Sequence, residues 1–205
     1  MDIPINAKVY CQNQVCGFAQ GVILDPKNDV VTHVVVKESK NSQAERLVPL
    51  ELIDASLADN IHLKINTNTL QTLPPLFDVE YIQTTVPHYM EISDMTYLEP
   101  VAVPEKKIIE EKIYHIPRNE LPVNHGTRVY SADGYAIGTV DEFFVDQNGG
   151  HVSYLILREG HIFGQKDVFI PITEIEKIME SDIHLKLNKE DIEQLPAIPI
   201  RRFLQ

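Results

Sequence analysis

A short phrase occurs twice in the chain. "DNIHLKIN" occupies 59–66 and "SDIHLKLN" occupies 181–188, with the same residue at five of the eight positions. A repeat constrains a fold more tightly than any single motif, because both copies must satisfy the same local physics. The match extends outward. Val9-Tyr10 aligns with Val129-Tyr130, Gly17 with Gly138 and Asp25 with Asp146. "VTHVVV" (31–36) aligns with "VSYLIL" (152–157), Pro49 with Pro171, and Leu73-Pro74 with Leu195-Pro196. The offset grows from 120 to 122 in single steps, and each step falls in a connection. Length changes cost little there. The phrase recurs because the module around it recurs.

Each copy reads as β structure. "AIGTVDEFFVD" (136–146) is rich in β-branched and aromatic residues, and "VSYLILREG" follows the turn "QNGG", so the pair predicts a hairpin. In the first copy "GVILD" and "VTHVVVKE" flank "PKND". Asp25 and Asp146 end strands, where a carboxylate accepts from turn amides. "IHLKI" and "IHLKL" alternate, which turns Ile and Leu inward and turns His62, Lys64, His184 and Lys186 toward water. His62 and His184 are accordingly read as solvated residues rather than ligands. After Pro49 and Pro171 a short helical segment is expected, with Ile175, Ile178 and Met179 as its apolar stripe. "TNTLQTLP" and "KEDIEQLP" read as single helical turns stopped by proline.

Charge and motifs narrow the function. The chain carries 18 basic and 30 acidic residues, a formal charge of −12, which opposes binding to phosphate backbones. No apolar run approaches the roughly 20 residues that span a bilayer. Met1-Asp2-Ile3-Pro4 does not resemble a secretory start, so a cytoplasmic protein is expected. Cys11 and Cys16 fit either a metal half-site or redox pair, or two incidental thiols on a strand and a turn. The missing second ligand pair favours the incidental reading. The sequence has no G-x-S-x-G, P-loop, H-E-x-x-H or G-x-G-x-x-G pattern. His88, His115, His125, His151 and His161 are scattered. No catalytic, cofactor-binding or metal-binding residue is expected, and the chain reads as a non-enzyme.

The stretch "GTRVYSADGYAIGTVDEFFVDQNGGHVSYLILREG" followed by "VFIPITEI" resembles a PRC-barrel domain. The resemblance rests on the turn Asp133-Gly134, the pair Ile137-Gly138, the strand ending at Asp146, the hairpin return, and the strand ending at Pro171. "GHIFGQKDVFIP" is similar to a phrase in tandem PRC-barrel proteins of bacteria. The first copy departs from the pattern, with Asn13-Gln14 in place of Asp133-Gly134. The resemblance implies a small, mostly antiparallel barrel. That barrel recurs in the cytoplasmic part of a photosynthetic reaction-centre subunit and in a ribosome maturation factor, and serves there for docking or assembly without a catalytic residue set. The expected fold is mainly β: two small antiparallel barrels in tandem, each with a short helix. The divergent copy spans 1–76 and the second copy, with a short tail, spans 121–205. An acidic, proline-containing, strand-like linker (77–120) joins them. Gly17, Asp25, Pro49, Asp133, Gly134, Gly138, Asp146 and Pro171 are the expected structural positions.

The functional expectation is an assembly or adaptor module that binds a protein partner or a second copy of itself. The loop "REGHIFGQKD" (158–167) sets Ile162 and Phe163 between Gly160 and Gly164, with His161 and Lys166 at the rim. It reads either as a docking knob or as a cap that folds Phe163 back onto the barrel. The alternatives are an accessory factor in ribosome or RNA processing, acting through a basic protein, and a photosynthetic or electron-transfer-associated module.

Overall fold

A computed structural model describes residues 1–39, 44–57, 59–89, 102–146, 149–159, 167–179, 182–195 and 197–198. In chain order the elements are β1 (Asp2–Pro4), β2 (Lys8–Cys11), β3 (Gln14–Asp25), β4 (Val30–Glu38), β5 (Glu45–Pro49), a 3-10 turn (Leu50–Leu52), β6 (Ile53–Leu57), β7 (Asn60–Leu63) and α1 (Thr67–Thr72). Next come β8 (Phe77–Tyr89), β9 (Ala102–Tyr114), β10 (Leu121–Asn124), β11 (Arg128–Tyr130), β12 (Ala136–Val145), β13 (Val152–Glu159) and β14 (Asp167–Pro171). A second 3-10 turn (Ile172–Glu174), β15 (Ile175–Ile178), β16 (Asp182–Leu185), α2 (Lys189–Glu193) and β17 (Ala197–Ile198) complete the chain. These elements form two compact units, one of Met1–Leu76 with Ile116–Gln205 and one of Phe77–His115.

The larger unit holds two sheets with matching strand orders. One runs β5-β4-β3-β2-β7-β6, and the other runs β14-β13-β12-β11-β16-β15 with β17 beyond β14. The chain is mainly β, as expected, but the sheets are open rather than closed barrels. Nor are they wholly antiparallel, since β2 pairs parallel with β7 and β11 parallel with β16. β3 and β4 carry the unbroken buried runs Val22-Ile23-Leu24 and Val34-Val35-Val36. Such runs mark strands covered on both faces. Residues of both sheets, from Val9 and Ile61 to Val129 and Ile183, belong to one continuous core.

The sheets also exchange a strand. β1 leaves the first sheet's neighbourhood in sequence and pairs with β12, Ile3 opposite Phe143. β10 does the reverse and pairs with β3, Val123 opposite Val22. Ile3 and Val123 are fully buried. The N-terminal amine of Met1 donates to the Val145 carbonyl at 2.6 Å. Gly21 makes room for β10, because a Cβ there would lie 2.4 Å from the Val123 carbonyl oxygen.

Every shared residue of the repeated phrase has a structural task. Ile61, Leu63, Ile183 and Leu185 are buried. His62 stacks on Tyr10 with ring centroids 4.9 Å apart, and His184 stacks on Tyr130 at 5.5 Å. The two histidines are therefore half-buried ring partners, a correction to the solvated reading. Lys64 donates through Nζ to the Glu51 carbonyl at 2.7 Å, and Lys186 to the Thr173 carbonyl at 2.6 Å. Both lysines thus close the 3-10 turn that follows a proline. The Asn66 side chain accepts from the Thr69 N–H at 2.9 Å and starts α1. At the start of α2 the Asp191 carboxylate accepts from the Asn188 N–H at 3.3 Å.

Two other expectations need correction. Ile175, Ile178 and Met179 form no helical stripe. The 3-10 turn ends at Glu174, and Ile175–Ile178 is strand β15, held antiparallel on β16. β-branched isoleucines suit that pleated edge better than a helix. Cys11 and Cys16 are not incidental thiols but a disulfide closing the β2–β3 hairpin, with Cα atoms 5.7 Å apart. The turn at the matching place in the other sheet, between β11 and β12, closes without one. There the Ser131 N–H donates to the Tyr135 carbonyl at 2.9 Å, and the Tyr135 N–H donates to Ser131 Oγ at 3.1 Å.

Candidate interaction surface

The smaller unit is a two-stranded ribbon. β8 (FDVEYIQTTVPHY) and β9 (AVPEKKIIEEKIY) pair antiparallel along all thirteen residues of each, from Phe77 opposite Tyr114 to Tyr89 opposite Ala102. Opposed residues share a face. One face carries Phe77 with Tyr114, Val79 with Lys112, Tyr81 with Glu110, Gln83 with Ile108 and Thr85 with Lys106. The other carries Asp78 with Ile113, Glu80 with Glu111, Ile82 with Ile109, Thr84 with Lys107 and Val86 with Glu105.

The ribbon is far more open than the central strands of the sheets. All of 78–83 and 105–115 is exposed, on both faces. Tyr81 is 69% and Ile108 70% accessible, and Val79, Ile82, Ile109, Ile113 and Tyr114 are also open to water. Isoleucine, valine and tyrosine favour strand pairing, so the local sequence forms the ribbon. Among the described side chains of this unit none is buried, and an isolated two-stranded ribbon is marginally stable in water.

The end where the chain enters and leaves the ribbon is fastened by side chains. The rings of Phe77 and Tyr114 lie 5.6 Å apart, Lys112 Nζ sits 4.3 Å from the centre of the Phe77 ring, and His115 Nε2 is 2.8 Å from Asp78 Oδ2. Further along, Glu80 stands directly opposite Glu111, a like-charged pair that weakens the ribbon. The two long edges differ in charge. β9 presents Lys106, Lys107 and Lys112. The stretch 77–86 of β8 has no lysine, arginine or proline.

The sequence-derived partner-binding residues His161, Ile162, Phe163 and Lys166 lie outside the described residues. The structural positions fall at turns and close approaches. Asp25 ends β3, and its carboxylate accepts from the Lys27 N–H at 2.9 Å and from Asn28 Nδ2 at 2.7 Å. Those two bonds, the backbone one first, hold it below the usual carboxylate range. Asp133 is lowered likewise by a side-chain hydrogen bond with Ser131, helped by the Lys189 N–H at 3.1 Å. Gly134 adopts φ +83° in that turn, a region L side chains rarely occupy. Asp146 follows β12, with its carbonyl accepting from the Gly150 N–H at 3.1 Å. At Gly17 an added Cβ would lie 2.5 Å from the Lys37 carbonyl oxygen. Gly138 pairs with Val129 on one side and Glu159 on the other. Pro49 and Pro171 each introduce a 3-10 turn with φ near −57° and −58°.

One polar cluster escaped the sequence reading. Thr32 Oγ1 donates to Glu120 Oε2 at 2.5 Å and lies 2.9 Å from His33 Nδ1. Thr32 and Glu120 are 88 positions apart, and no local pattern links them. The cluster ties the segment returning from the ribbon to β4. Burial pushes His33 below its ordinary value of 6.5, against the pull of Glu120 and Glu51. Among the described residues no three His, Cys, Asp or Glu side chains are grouped to hold a metal ion, and no helix is long and apolar enough to cross a membrane.

Comparison with known families places a PRC-barrel domain at residues 125–192. That span begins just after β10, takes in β11 through β16 and ends within α2. No curated protein matches the chain.

Proposed function

We propose that this chain is a non-enzymatic assembly or adaptor module, and that the ribbon Phe77–His115 is its docking element. The observation that carries the reading is the exposure of apolar side chains on both faces of a ribbon without a core. Ordering such a ribbon costs backbone entropy that its own packing does not repay. A bound protein would cover Tyr81, Ile108 and Ile109 and supply the missing burial. Paired strands with open edges suit recognition by strand addition, in which main-chain hydrogen bonds give affinity and alternate side chains give selectivity. The docking role implied by the PRC-barrel resemblance supports the same reading.

The test is affinity capture by the full chain and by two variants. In one, residues 79–113 are replaced by a short Gly/Ser link; the other is Phe163→Ala. The ribbon-less variant is expected to lose the captured partner while Phe163→Ala retains it. A ribbon-less variant that captures the full set of partners would reject this function for the ribbon.

A further inference from the structure

We propose that the open edge of β8 pairs with β8 of a second copy of this chain, antiparallel and two-fold symmetric, with Ile82 facing Ile82 of the second copy. The inference rests on the docking reading above and gives the ribbon its occupant. Natural sheets protect exposed edges with charge, lysine above all, or with proline. β9 carries Lys106, Lys107 and Lys112, whereas Phe77–Val86 of β8 has no lysine or proline and only Asp78 and Glu80 as charges. Phe77–Val86 is a proline-free run containing Val79, Tyr81, Ile82, Thr84, Thr85 and Val86, all good strand formers. Within the ribbon this edge has no strand beside it, since the sheet consists of β8 and β9 alone among the described residues.

Symmetry and charge select the register. A two-fold axis through an antiparallel pair sets one residue opposite its own copy. With Ile82 on the axis, Tyr81 meets Gln83, Glu80 meets Thr84, Val79 meets Thr85 and Asp78 meets Val86. No like charges oppose one another, and pairing stops short of Pro87, which has no N–H to donate. Because Ile82 already faces Ile109 within each ribbon, an unbroken row Ile109–Ile82–Ile82–Ile109 crosses the four-stranded sheet. The row that begins with the like-charged Glu111 and Glu80 continues through Thr84 to Lys107 of the second copy, which supplies the opposite charge. Moving the axis to Tyr81 would set Glu80 and Glu111 beside Ile82 and Ile109. Moving it to Gln83 would set them beside Val86 and Glu105. Both registers forfeit the compensation.

The experiment uses the full chain. Sedimentation across a concentration series is expected to show a monomer–dimer equilibrium. Ile82→Lys puts two like charges on the axis and should weaken the dimer roughly a hundredfold or more, while Ile82→Lys mixed with Ile82→Glu recovers a heterodimer. That recovery separates lost pairing from a misfolded ribbon. Cys11 and Cys16 are bonded to each other, so an introduced thiol is the free one. Under mild oxidation Ile82→Cys should cross-link into a covalent dimer. Ile109→Cys should not, because its mate lies three strand spacings away, about 14 Å. A chain that stays monomeric to about 100 µM overturns the proposal, and so does cross-linking of Ile109→Cys as readily as Ile82→Cys. If the monomer still captures another protein through the ribbon, self-pairing is refuted and the docking function stands.

Discussion

Ile61 and Ile108 are the same residue type in the same kind of secondary structure, yet one is fully buried and the other 70% accessible. The first lies in a sheet that shares a core with its counterpart, the second in a ribbon whose faces are both wet. A strand's chemistry sets its preference for extended backbone, and what packs on it sets its stability. The sheets hold themselves together. The ribbon satisfies its internal hydrogen bonds and leaves its apolar surface open to water.

The largest expected effect separates the two regions directly. Ile61→Ala should cost about 2–5 kcal/mol, whereas Ile108→Ala should stay within about 0.5 kcal/mol in dilute protein. Denaturant titration of both variants checks this, and equal costs would erase the distinction. Gly21→Ala should follow at about 3 kcal/mol, since the clash is with the Val123 backbone rather than with a flexible side chain. An unchanged melting temperature there would mean that β10 is not seated on β3. Reducing the Cys11–Cys16 disulfide should cost about 2 kcal/mol, the scale for a short closed loop. Thermal melts with and without dithiothreitol measure it, and Cys11→Ser with Cys16→Ser should abolish the dependence.

The smallest effect is a pH dependence. His33 is depressed in the folded chain, so below 6.5 the unfolded chain binds more protons than the folded one. Its contribution is complete above 6.5 and is lost as the pH falls through and below that value. Asp25 and Asp133 are also depressed, but their contribution is lost only lower, as the pH falls through the carboxylate range. His33→Gln should flatten the stability slope between about pH 5 and 6.5 and leave the acid limb unchanged. A slope unaltered by the substitution would show that His33 is not held neutral.

Much of the sheet structure could be read from residues alone because its determinants are local. Alternation marked Ile61, Leu63, Ile183 and Leu185 as inward-facing, and Asp25 stood at its turn. Three features were hidden by distance or ambiguity. Ile175, Ile178 and Met179 satisfy a helical spacing over so few residues that strand pairing on β16 decides the outcome. The disulfide requires knowing that a hairpin brings Cys11 and Cys16 together, which their spacing alone did not convey. The ribbon's exposed apolar surface shows no one-sided alternation, since neither of its faces is buried. The 44 residues from 77 to 120 therefore looked like linker.

Consider finally the reciprocal placement of β1 and β10. Each sheet is completed by a short strand that lies in sequence beside the other sheet, so the two sheets of the larger unit are interlocked by reciprocal strand exchange. Severing the chain between Leu76 and Leu121 would leave two fragments, each lacking what the other carries. Neither fragment would be a finished domain. Remixed, they should find each other and restore the whole by complementation.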